Sequence, residues 1–118
     1  MKIYINNHSW HVYKAAATDP VLMVDGLSCR GTTWCDQQEI YIAKEINKDS
    51  AMRVIRHELV HAYLYSTQMN VPKKFTEEDL CEFIACWGEE IMNKADHIYA
   101  HLYCENDSNV IEEVNKDE

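Results

Sequence analysis

The chain has 118 residues, 47% of them hydrophobic, with only three Gly and two Pro. One domain with a true core is expected, and a disordered or collagen-like chain is excluded. Twenty acidic against eleven basic residues leave a net charge of −9, which argues against a nucleic-acid binder that neutralises phosphates and against docking on an anionic membrane.

In chain order, Lys2–Asn6 (K-I-Y-I-N) is rich in β-formers and reads as a strand. Ser9–Ala17 reads as a short helix from the three-to-four spacing of Trp10, Tyr13 and Ala17. Asp19-Pro20 marks a turn, and the apolar run Val21–Val24 ends at the Asp25-Gly26 turn signal. Leu27–Trp34 and Glu39–Ala43 read as two further strands joined around Cys35–Gln38. The edge of the Glu39–Ala43 strand is a candidate dock for an extended substrate.

From Asp49, read as a helix cap, the period changes. Met52, Ile55, Leu59, Ala62 and Tyr63 recur at helical spacing to about Thr67, and Asn70 and Pro72 break the pattern. Thr76 opens a second helix, with Asp79 completing a capping box. Its expected apolar stripe is Leu80, Phe83, Ile84, Trp87 and Ile91, and a further helical stretch runs from about Lys94 to Cys104. Strands followed by helices make the fold class α+β: a small N-terminal twisted sheet packed on two helices. The domain spans residues 1–104, and 105–118, with six acids and one Lys, reads as an acidic solvated tail.

The N-terminal stretch MKIYINNHSWH sets Asn6, Asn7 and His8 where the apolar core of an export signal would run, and no segment has the length of a membrane span. Five cysteines, an odd number with no C-x-x-C pair, suit reduced thiols in a cytoplasmic protein.

The chemistry sits in His57-Glu58-Leu59-Val60-His61, an H-E-x-x-H pattern on the first long helix. Residues i and i+4 project from one helix face, so both imidazoles can reach one ion. Glu58 can then act on a metal-bound water as general base and afterwards as general acid. Two His require a third ligand, and the second helix offers Glu82 in E-x-x-A, with Glu78 as its rival or as a partner orienting a histidine. Two His and a carboxylate suit Zn2+. For the oxyanion, Tyr63, Tyr65, His97, Tyr99, His101 and Tyr103 are candidate donors.

His57, Glu58, His61 and Glu82 resemble the gluzincin type of zinc metallopeptidase. The strands before the helix and the stretch T-E-E-D-L-C-E-F-I-A resemble the small phage and mobile-element ImmA/IrrE-like metallopeptidases, over roughly residues 27–95. The resemblance implies cytoplasmic hydrolysis of a peptide or protein substrate, often a repressor or regulatory protein. One position departs from it: Cys86 stands where some gluzincins carry an Asp that orients a histidine. A metal-binding domain that has lost hydrolysis and acts by protein interaction is the competing reading, and the presence of Glu58 argues against it.

Overall fold

In a computed structural model, which describes residues 1–67 and 75–104, the chain is α+β: a mixed four-stranded sheet with two long helices on one face. Asn70, Pro72 and the acidic segment 105–118 lie outside the described residues. The sheet holds β1 (Lys2–Ile5), β2 (His8–Ala15), β5 (Gly31–Trp34) and β6 (Glu39–Ala43), in the order β1-β2-β6-β5. β2 pairs parallel with β6, and the outer pairings are antiparallel. Between β2 and β5 lie a 3-10 turn (Pro20–Leu22) and a hairpin of β3 (Met23–Val24) with β4 (Leu27–Ser28).

The segment expected to be a short helix is β2, which lies inside the sheet. Asn6 and Asn7 both hold positive φ (49° and 71°), the conformation of a tight two-residue hairpin turn. That turn folds β2 back on β1 with Ile5 opposite His8. Trp10 and Val12 then point into the core on the strand period of two, and the helical spacing of Trp10 and Tyr13 is incidental. Leu27–Trp34 is also not one strand: it breaks after Ser28, and β4 and β5 join different sheets. Asp25-Gly26 is the turn expected, with φ of 52° and 79°.

Helix α1 (Lys48–Ser66) is capped by Asn47, whose side chain accepts from the Ser50 amide; Asp49, the expected cap, lies in the first turn instead. Helix α2 (Glu77–Tyr99) has the expected capping box of Thr76 and Asp79. It shows no break at Lys94 and runs to Tyr99, where a π-helical turn (Ala100–Cys104) takes over. Its apolar stripe is displaced from the one expected. Phe83 and Ile91 are buried, Trp87 is half-buried and Ala95 and Ile98 extend the inward face, while Leu80 and Ile84 are exposed. No helix among the described residues is long and apolar enough to cross a membrane.

The core is Ile3, Ile5, Trp10, Val12, Ile40 and Ile42 from the sheet, packed against Ile55, Leu59, Ala62 and Tyr63 of α1 and Phe83, Ile91, Ala95 and Ile98 of α2. Trp10 is wholly buried and donates from Nε1 to Ser66 Oγ at 2.7 Å, which fixes the end of α1 on the sheet. A smaller cluster of Ala15, Leu22 and Ala43 covers part of the opposite face. These contacts lay α1 along β5 at one side of the sheet, and that placement builds the site.

Candidate metal centre and its cleft

His57 and His61 are both exposed on α1, with ring centroids 5.1 Å apart and planes inclined at 70°. One helical turn between them puts both imidazoles on the same outward face, as the sequence spacing requires. Glu58, one position round the helix, is turned toward the sheet and is only 7% exposed. Its Oε1 accepts from Thr33 Oγ1 on β5 at 2.5 Å. A carboxylate out of water needs such a donor, so Thr33 orients the acid and offsets part of its burial. Thr33→Val should lower stability by about 1–3 kcal/mol, the cost of leaving a buried polar group short of a partner. The loss would be read as a lower urea midpoint, and an unchanged midpoint would remove Thr33 from this role.

The approach of α1 to β5 depends on Gly31. A Cβ there would lie 2.6 Å from Val54 Cγ1, 3.1 Å from Glu58 Cγ and 3.2 Å from Glu58 Oε2. Only a residue without a side chain lets the helix come this close.

A cleft of about 430 Å³ follows from this arrangement, with His57, Glu58 and His61 on one wall. Gly31–Trp34 of β5, with Val24 and Cys29, line the rest of it. Trp34 is held in place by a bond from Nε1 to the Val21 carbonyl at 3.1 Å. Among the described residues β5 pairs with β6 alone, so its outer edge is free beside the histidines. The strand expected to offer that edge, Glu39–Ala43, is β6, hydrogen-bonded on both sides by β2 and β5. The unpaired edge beside α1 is therefore that of β5, not β6.

Glu82 is placed differently from the two histidines. It is exposed, so burial does not demand a metal there, and its Oε2 accepts from Cys86 Sγ at 3.3 Å. That bond raises the Cys86 thiol above its ordinary pKa. The helix register accounts for the separation. Tyr63, late in α1, packs on Trp87 at 5.8 Å, and Tyr103, just past the C-terminus of α2, donates to the Ala43 carbonyl shortly before α1 begins, so α1 and α2 run antiparallel. Glu82 is then level with the C-terminal end of α1 near Thr67, and about 9 Å along the axis from His61 at 1.5 Å per residue. Glu78, also exposed, lies one turn further on. Among the described residues no three His, Cys, Asp or Glu side chains are grouped so as to hold a metal ion. The two histidines thus share a helix face with no third ligand grouped with them among the described residues.

The candidate oxyanion donors fall elsewhere. Tyr63 is wholly buried, and its hydroxyl donates to Glu90 Oε2 at 2.6 Å. Burial and that bond push its pKa up. Tyr65 sits edge-on to Trp10, His97 lines a groove beside β1, and Tyr99 packs on Tyr103. Tyr103 donates to the Ala43 carbonyl, and burial raises its phenol to about 12. His101 is not among the residues that line the cleft. Thr33, Gly31 and Trp34, which do line it, carry no local signal in the sequence beyond their place before the Glu39–Ala43 strand.

Comparison with protein-family models, with curated proteins and with solved structures found no match to this chain.

Proposed function

We propose that this chain is a zinc-dependent metallopeptidase that hydrolyses peptide bonds of a protein or peptide substrate, with a regulatory or repressor protein as the expected kind of target. One observation carries the reading: two imidazoles on one helix face flank a buried, Thr33-held carboxylate, and all three side chains line a cleft beside a free strand edge.

In this reading His57 and His61 hold the ion and Glu82 supplies the third ligand. The Glu82 side chain is bonded to Cys86 and would have to leave it to reach the pair. Zinc bound there would act as a Lewis acid and bring the pKa of a water to about 7. The chain's own residues do the rest. An extended substrate adds to the outer edge of β5 through main-chain hydrogen bonds, which hold its scissile carbonyl beside α1. Glu58, through the oxygen not engaged by Thr33, takes the proton of the attacking water as the new C–O bond forms. It then delivers that proton to the amine nitrogen as the C–N bond breaks.

A metal-binding or interaction domain without hydrolysis is the second reading, favoured by the Glu82 carboxylate being bonded to Cys86 on its own helix. Zinc titration and cleavage assays separate the two. His57→Ala and His61→Ala should each weaken zinc binding by more than the about 10–100-fold that loss of an outer hydrogen-bond partner costs. Glu82→Gln should do the same. Wild-type affinity in Glu82→Gln with a loss in Glu78→Gln would transfer the ligand to Glu78. Tight zinc binding with no cleavage across unfolded protein substrates would favour the second reading.

A further inference from the structure

The wall of the cleft continues past His57 into a second cavity of about 370 Å³, where Arg30, Ser50 and Arg53 join Gly31, His57 and Glu58. The sequence has three arginines in all, and two of them stand here, both exposed. In a chain of net charge −9, two guanidinium groups beside one cavity would ordinarily be neutralised by neighbouring carboxylates. Among the described residues neither has a carboxylate within ion-pair distance; the ion pair described is Lys94–Glu90, on α2. Glu58, the one acid lining the cavity, gives one oxygen to Thr33, and Asp49, one turn before Arg53 on α1, forms no described ion pair with it.

We propose that Arg30 and Arg53 form a subsite for a carboxylate of the substrate. The planar forks of two guanidinium groups match a carboxylate and bind it through charge-assisted hydrogen bonds. The position follows from the elements that carry them. Arg30 directly precedes β5, and Arg53 lies one helical turn before His57, about 6 Å along the axis. An extended chain on the β5 edge advances about 3.3 Å per residue, so the carboxylate sits about two residues from the bond facing Glu58. An acidic side chain and a free C-terminus present the same group. The inference deepens the hydrolase reading by naming a substrate class, and its binding half stands without cleavage.

The test uses the full-length Glu58→Gln protein loaded with zinc and four fluorescein-labelled eight-residue peptides. These differ only in carrying glutamate or glutamine at one internal position and in having a free or an amidated C-terminus. Fluorescence anisotropy should show about tenfold tighter binding of a carboxylate-bearing peptide than of the amidated glutamine peptide, the effect of a charge-assisted bond. The preference should fall to near unity in Arg30→Gln and Arg53→Gln at unchanged melting temperature. The amidated glutamate peptide and the free-acid glutamine peptide tell the two sources apart. Equal binding of all four peptides, no binding of any, or a preference that survives both substitutions would overturn the subsite. Cleavage by the wild-type chain with no carboxylate preference would leave the hydrolase reading standing and remove this inference. An arginine-dependent preference without cleavage would do the reverse.

Discussion

Glu58→Gln should abolish peptide cleavage while leaving the fold and zinc binding intact. The side chain is 7% exposed and accepts from Thr33 through one oxygen. Glutamine keeps the shape and an oxygen for Thr33, so stability should change by less than about 1 kcal/mol. It cannot take a proton at neutral pH, and the loss of general acid–base catalysis costs about 10²–10⁴-fold in kcat. Single-turnover cleavage followed by mass spectrometry, with zinc content and thermal melting measured on the same sample, checks all three expectations. Full activity in the variant would remove Glu58 from the mechanism.

The second large effect is expected at a residue with no side chain. Gly31→Ala places a methyl group 2.6 Å from Val54 Cγ1 and 3.1 Å from Glu58 Cγ. Val54 cannot swing aside, because a β-branched side chain on a helix is nearly confined to one rotamer. The helix must therefore move away from β5. Overpacking of this kind costs about 1–3 kcal/mol, or roughly 4 °C of Tm for each kcal/mol in a domain of this size. The same displacement draws Glu58 from Thr33, so cleavage should fall with stability. Adding Val54→Ala to Gly31→Ala opens the space and should recover most of the lost Tm. If Gly31→Ala alone melts like the wild type, the close approach of α1 to β5 is not what Gly31 provides.

Several features of this protein were legible locally. The H-E-x-x-H spacing, the Thr76–Asp79 capping box and the Asp25-Gly26 turn each involve residues within four positions of one another. Their geometry is therefore set by the backbone of one element. Ser9–Ala17 misleads for the opposite reason. Its segment has residues that suit either period, and pairing with β1 on one side and β6 on the other selects the strand. Exposure of Leu80 and Ile84 has the same origin, since both are apolar at helical spacing but only contact with α1 and the sheet decides which side of α2 turns inward.

By itself, then, the sequence determined a helix with two imidazoles on one face and an acid beside them, because 3.6 residues per turn leaves no other arrangement for positions four apart. The tertiary structure decided what surrounds that triad. It buried Glu58 against a threonine 25 residues away in the chain, turned β5 rather than β6 into the free edge, and gathered two arginines beside the cleft. It also held Glu82 near the far end of α1, bonded to Cys86. Each of these depends on how distant segments pair and pack, and no local spacing encodes that.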